Sequence, residues 1–156
     1  LSVHDQEKDE KIIPRVSCEP SLGVDRAFLA FLYDAYMEDG RGNTTLSLHP
    51  RLSPNTVAVF PLLGNDEELM GKAESVYETI NASHNAVWDA KGSIGRRYAR
   101  QDEVGTPYCV TVDFDTLDDD AVTIRFRDST EQERVAIDDL SERLDELISS
   151  YPDGQR

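Results

Sequence analysis

Lysine is scarce in this chain. Of sixteen basic residues among 156, only Lys8, Lys11, Lys72 and Lys91 are lysines, and the rest are arginines. Acidic residues number 31, so the formal net charge is −15. Taken at face value, that balance excludes the common basic binder of nucleic acid, which meets phosphates with a positive face. Cysteine is also nearly absent. Cys18 and Cys109 stand far apart, with no Cys-x-x-Cys pair and no neighbouring histidine. Metal and redox chemistry are therefore not expected, and both residues are expected to be buried free thiols. His4, His49 and His84 are scattered, form no ligand-like cluster, and are expected at the surface or in linkers. No apolar run approaches the eighteen residues of a membrane-spanning helix. The opening LSVHDQEKDEK is charged and lacks the hydrophobic stretch of a secretory signal peptide. The first residue is Leu1 and not Met, and a piece of a longer protein is expected.

What is present gives a different picture of the charge. Aspartate is abundant, and arginine is kept while lysine is discarded, a balance that resembles proteins of salt-loving organisms. In molar salt the screening length falls to about 3 Å, so distant acidic groups barely repel a bound polyanion. Short-range forks between arginine and phosphate persist under those conditions. The acidity thus speaks to habitat more than to partner.

The hydrophobic pattern predicts an α/β chain. IPRVSC (13–18) reads as a buried strand, and RAFLAFLYDAY (26–36) as a helix with Phe28, Leu29, Leu32 and Tyr36 apolar. MEDGRGN (37–43) reads as a polar loop, and TLSLHPRLSPN (45–55), with Pro50 and Pro54, as an extended connector. The expected organisation is a first section over 1–44, a linker over 45–55, a domain over 56–151 and a frayed tail over 152–156. In the domain, TVAVFPLL (56–63) predicts a strand covered on both faces. A helix follows, with Asn65 or Asp66 as N-cap and Leu69, Ala73, Val76 and Ile80 on its inner face. AVWDAK (86–91) predicts a second strand, and a short helix ends near Gly105. YCVTVDFDTL (108–117) predicts a third strand, with AVTIRFRDS (121–129) returning as its hairpin partner. ERVAI (133–137) and a closing helix over 138–151 complete the domain. The expectation is a layered α/β domain with a mixed sheet of about five strands and about three helices.

Between the first strand and helix stands EPSLGVDR (19–26), an acid, a hydroxyl, a glycine and an Asp-Arg pair at one corner. Gly23 allows a turn or a close approach of a ligand. Arg26 projects from the first helical turn, where an anionic group would be favoured over a cation. Arg26 either faces something anionic or pairs with Asp25, Glu19 or Asp34. This octapeptide resembles motif 3 of class II aminoacyl-tRNA synthetases, in the form used by glycyl-tRNA synthetases of the archaeal and eukaryotic type. GSIGRRYARQDEVGTPYCVTVDFDTL (92–117) and RFRDSTEQ (125–132) resemble the C-terminal anticodon-binding domain of the same enzymes. The resemblance covers nearly the whole chain, in the same order.

That resemblance implies a three-layer anticodon-binding domain preceded by a strand-turn-helix remnant of a catalytic domain. It implies an ATP- and Mg²⁺-dependent parent enzyme that joins glycine to tRNA(Gly), a homodimer like its family. Arg26 matches the position that packs on adenine and reaches the triphosphate, with Gly23 beside it. A guanidinium suits both tasks, since it stacks on a flat ring while its fork donates to phosphate. Glu19 and Ser21 match the positions that face the glycine ammonium and close its small pocket. Motifs 1 and 2 are not in this sequence, so these residues alone are expected to form no adenylate. For the anticodon-binding part, Arg96, Arg97 and Arg100 are candidate tRNA contacts on one helix, and Arg125, Arg127 and Arg134 extend the set onto the hairpin. The alternative for RRYARQDE is an internal ion-pair network, with Arg100 held by Asp102, Asp113 or Asp128. Phe126 stands where the family pattern has an acid. A second reading of the whole chain is a non-catalytic RNA- or protein-binding module that reuses the anticodon-binding fold.

Overall fold

The computed structural model describes residues 2–13, 18, 20–38 and 43–152. The chain divides into two compact units, Leu1–Ala30 and Phe31–Arg156. The first holds a small antiparallel hairpin, β1 (Val3–Asp5) with β2 (Glu10–Ile12), in the register Val3↔Ile12 and Asp5↔Glu10. The turn between them is built by Asp5, whose carboxylate accepts the backbone N–H of Glu7 at 3.0 Å and of Lys8 at 3.3 Å. Asp9 completes it at a positive φ of 52°, a conformation that aspartate tolerates better than most residues. The strand expected over 13–18 lies mostly outside the described residues. Cys18 is described and is exposed, which corrects the expectation of a buried thiol. The unit ends in the first turns of α1 (Val24–Ala35).

The second unit opens with the rest of α1 and a second hairpin, β3 (Tyr36–Glu38) with β4 (Thr44–Leu46). The loop and connector expected here are in part this ladder, whose three-residue strands are too short to leave an alternation signal.

The main sheet has the order β6-β5-β7-β8-β9. β5 (Val57–Pro61) lies parallel to β6 (Ala86–Trp88) and to β7 (Tyr108–Val112). β8 (Ala121–Phe126) and β9 (Gln132–Ala136) continue antiparallel. Every residue of β5 and of β7 is buried, as expected for strands covered on both faces. Alternate side chains of β5 divide between two cores. Val57 and Val59 join Leu69, Ala73, Val76 and Ile80 of α2 (Glu67–Asn81) and Leu140 and Leu144 of α5 (Leu140–Ser149). Ala58 and Phe60 face the other way, with Cys109, Ile94 and Tyr98, so that α3 (Ile94–Val104) covers the opposite face. The result is three layers, as the sequence led us to expect.

Asp66 caps α2 and accepts the N–H groups of Glu68 and Leu69. The strand expected over 108–117 is corrected: it ends at Val112, and a short helix, α4 (Phe114–Asp119), follows. Asp113 and Thr116 cause the break by forming a reciprocal capping box, with the Asp113 N–H donating to Thr116 Oγ1 at 3.1 Å. Among the described residues the second unit therefore has four helices after Pro61, and a 3₁₀ turn (Ile137–Asp139) leads into the last. His84 also departs from expectation. Its side chain is only 4% exposed and stands 3.8 Å from Asp145, at the C-terminal end of α2 against α5.

Candidate functional site

The two groups of candidate residues fall in different units. In the first unit, α1 begins at Val24, and the Gly23 carbonyl accepts the N–H of Ala27 at 3.0 Å. Ser21 is thus too far upstream to cap the helix. Ser21, Gly23 and Arg26 are all exposed, and Arg26 makes no ion pair among the described residues. A Cβ added at Gly23 would meet only the Cγ and Cδ of Arg26, both at 3.9 Å, so the arginine stem folds back beside the glycine. Glu19 lies outside the described residues. A free guanidinium beside an open backbone fits the chemistry of one nucleotide contact. No group of three or more carboxylates, histidines or cysteines placed to hold a metal ion occurs among the described residues.

In the second unit the arginines are largely occupied by the protein itself. Arg97 was a candidate RNA contact and is corrected: it is 2% exposed and faces the sheet. Its Nε and Nη2 donate to the Gly92 carbonyl at 3.2 and 2.8 Å, and its Nη1 to the carbonyl of Pro61. It therefore pins the loop before α3 to the end of β5. Burial lowers its pKa, partly opposed by Asp89. Arg127 is corrected in the same way. Its side chain is fully buried, forks onto Asp128 at 2.8 and 2.9 Å, and donates to the Gly105 carbonyl at 2.6 Å. Ser47 and Tyr151 also donate to Asp128, at 2.9 and 2.8 Å. Burial alone would raise the Asp128 pKa; these donors outweigh it and hold the carboxyl below the usual carboxylate range.

Arg100 pairs with Asp89, at 2.6 Å, and not with the three acids the sequence offered. Arg134 bridges Asp113 and Asp119 at 3.0 and 2.9 Å. Arg125 forks onto Asp102 at 2.9 and 3.0 Å, with its guanidinium carbon 4.7 Å from the centre of the Tyr98 ring. Burial works against the Arg125 charge, and the Asp102 fork more than offsets it. Tyr98 is itself fixed by a 2.7 Å hydrogen bond with Thr111 and an edge contact to Phe60. Of the candidate arginines in this unit, Arg96 alone is exposed with no partner among the described residues. Phe126, in place of an acid, turns inward and packs edge-on against Tyr108 at 6.0 Å.

These fixed pairs border a groove of about 740 Å³. One wall is α3, through Gly95, Tyr98, Ala99 and Glu103; the other sides come from β3, β4 and the end of β8. Gly105 is what lets β4 approach α3. It caps the helix at φ 90°, and a Cβ there would sit 2.9 Å from the Leu46 carbonyl oxygen. Sequence reasoning placed Arg125 and Arg127 near such a site but missed Glu38, Thr45 and Thr130, which also line it. Their only sequence signal is position, since the groove joins segments from residue 37 to residue 130. Arg96 stands on the same helix, whose first turn has no acidic residue and no side-chain cap. That end keeps its positive dipole uncompensated.

Comparison with known proteins bears on this groove. A family described as anticodon binding domain matches residues 56–147. The chain is similar to a glycine–tRNA ligase of Streptomyces coelicolor, 53% identical over 148 residues, which covers 90% of this chain and 32% of that protein. It is similar to that of Clostridium acetobutylicum, 51% identical over 148 residues, covering 92% and 31%. For that of Thermobifida fusca the identity is 48% over 157 residues, covering 96% and 34%. The chain thus spans about a third of the length of these relatives.

Proposed function

The chain belongs to the anticodon binding domain family over residues 56–147, and on that premise we propose that it is part of a glycine–tRNA ligase whose α3–β8 groove holds the anticodon loop of tRNA(Gly). The observation that carries the reading is the groove itself. It joins α3 and the end of β8, inside the matched span, to β3 and β4 ahead of it; Tyr98, Arg125 and Asp102 line it as a fixed stack, and Arg96 stands exposed on its helix with no partner among the described residues. Single-stranded bases are recognised by such preformed surfaces, where they can be splayed out and read on their edges.

The parent activity is the ATP-dependent joining of glycine to its tRNA, with Mg²⁺ expected at the triphosphate, in the cytoplasm and in a homodimer. Supporting it are the near-50% identity to glycine–tRNA ligases and the match of Ser21, Gly23 and Arg26 to the motif 3 pattern. In that reading Arg26 and Gly23 meet ATP, and Glu19 and Ser21 meet glycine. The described residues of that corner are open to water, so this span by itself is expected to give no adenylate in a pyrophosphate-exchange assay.

Binding of fluorescent glycine tRNA to this chain tests the groove. Ala99 lines it and is half-buried, so Ala99→Trp fills the space without entering the core. The expected result is at least an about tenfold loss of affinity with the fold intact by circular dichroism, in line with loss of one or two base contacts. Unchanged affinity in that variant would remove the groove as the tRNA site.

A further inference from the structure

We propose that the open edge of β9, with the acidic groove between it and α5, takes a basic, extended segment of another protein, added to the sheet as one more strand. β9 is the last strand of the main sheet, and no strand among the described residues lies beyond it. Hydrogen bonds at its two ends fix which of its backbone groups are free. The Phe126 N–H donates to the Glu131 carbonyl at 3.0 Å, and the Ile137 N–H to the Asp120 carbonyl at 2.9 Å. Bonded and non-bonded pairs alternate along an antiparallel ladder. Ile124↔Glu133 and Val122↔Val135 are therefore the bonded pairs, and Gln132, Arg134 and Ala136 turn their N–H and C=O groups away from β8. Ala121, opposite Ala136, accordingly gives its own N–H to the Asp119 side chain at 2.9 Å. Gln132, Arg134 and Ala136 are all exposed.

Free sheet edges are commonly blunted by a proline, a bulge or a charge laid over the strand. β9 has no proline and pairs in unbroken register over its five residues. Its two charged side chains are drawn off the edge. Arg143 of α5 forks onto Glu133, with both contacts at 3.0 Å, while Asp113 and Asp119 hold Arg134 on the opposite face of the sheet. Charge then selects the occupant. A groove of about 310 Å³ runs between this edge and α5, and its two guanidiniums are engaged, Arg134 as above and Arg143 on Glu133 and Glu146. Asp139 and Glu142 also line it, exposed and without a partner among the described residues. Those carboxylates repel a polyanion, and no aromatic ring lines the groove to stack a base. An added strand pairs its main chain with the free edge. A lysine or arginine at every second position then points to the α5 side, where the two free carboxylates stand.

The test uses fluorescence anisotropy with this chain and a labelled nine-residue peptide that alternates lysine and threonine. Ala136 has a φ of −61°, which a proline ring favours, and its N–H points to the open edge. Ala136→Pro therefore blocks the edge without removing a ladder bond or changing the charge. It is expected to weaken the peptide by about tenfold or more, in line with losing the main-chain pairing, at an unchanged melting temperature. The Asp139→Asn, Glu142→Gln double variant alters only exposed side chains and reads the acidic wall separately, with an expected loss of about fivefold. Saturable binding by the unaltered chain, lost in both variants, supports the proposal. Unchanged affinity in either variant overturns it, since a peptide held only by the overall negative charge would not sense the edge. No saturation below about 1 mM also overturns it. Displacement of the peptide by a glycine-tRNA anticodon stem–loop would put RNA on this edge and overturn it equally.

Discussion

Arg127 gives the sharpest test of how the second unit is held together. The cluster around it joins four segments: Ser47 after β4, Gly105 at the end of α3, Asp128 after β8, and Tyr151 near the C-terminus. Arg127→Met keeps the stem's volume and removes the charge. It leaves the Asp128 carboxylate without its fork and the Gly105 carbonyl without that donor. Breaking a buried pair from one side costs about 3–5 kcal/mol. The Asp128 side chain is 39% exposed and can rehydrate, which argues for the lower end, about 3 kcal/mol. For a domain of this size each kcal/mol moves the melting temperature by roughly 3–6 °C, so a fall of about 10–15 °C is expected. Asp128→Asn should also destabilise, and the double variant should lose less than the sum, with a coupling of about 1–3 kcal/mol. Calorimetry of the four proteins gives all these quantities. A fall under about 3 °C for Arg127→Met, or additivity in the cycle, would refute the structural role and reopen Arg127 as an RNA contact.

Other outcomes follow from particular contacts. Gly64→Ala places a Cβ 2.6 Å from the Ala90 carbonyl oxygen, so the loop must shift and denaturant midpoints should fall by the equivalent of about 1–3 kcal/mol. No change would show that the approach is not as tight as described. Burial pushes the Cys109 thiol up to about 12, while Cys18 is exposed. At pH 8 an aromatic disulfide reagent should titrate one thiol quickly and the second only when the protein is unfolded; two fast thiols would contradict the packing of β7 against α3. Burial tends to raise the Asp113 and Asp128 pKa values, but their arginine and hydroxyl donors leave both net lowered below 3.8. Their stabilising effect is present above the unfolded carboxylate pKa and is lost as pH falls through the lowered folded values. Melting temperature should therefore hold from neutrality to about pH 5 and drop below about pH 4, and Arg134→Gln should soften that drop. Finally, few phosphate contacts mean a shallow salt dependence: with one or two, log affinity against log salt should have a slope near −1. A slope of −4 or steeper would require a phosphate-tracking surface that the described residues do not display.

The strands and helices that make the core were legible in the sequence because each obeys one period without interruption. β5 is a continuous apolar run, and the inner face of α2 reads directly from Leu69, Ala73, Val76 and Ile80. The β7–α4 break was hidden because Phe114 and Leu117 continue the apolar pattern, and the deciding feature is the Asp113–Thr116 box. The side chains of Asp113 and Thr116, each bonded to the other's backbone N–H, end the strand and start the helix there. The arginines were legible as a set but not as individuals. Arg96 and Arg97 are neighbours in sequence, yet a helical step of 100° puts one in water and the other against the carbonyls of Gly92 and Pro61. The same limit applies to the groove. Its carboxylates come from β3, α3 and the segment after β8, and no spacing along the chain brings Glu38 to Glu103.

The claim that α3 and the end of β8 form the tRNA-binding groove is tested most directly by NMR. The chain is 17.5 kDa, small enough for an amide map titrated with a glycine-tRNA anticodon stem–loop. The account predicts the largest shifts at Gly95, Arg96, Ala99, Glu103 and Thr130, with the β9–α5 face unchanged. Shifts concentrated on β9 and α5, with α3 silent, would contradict it.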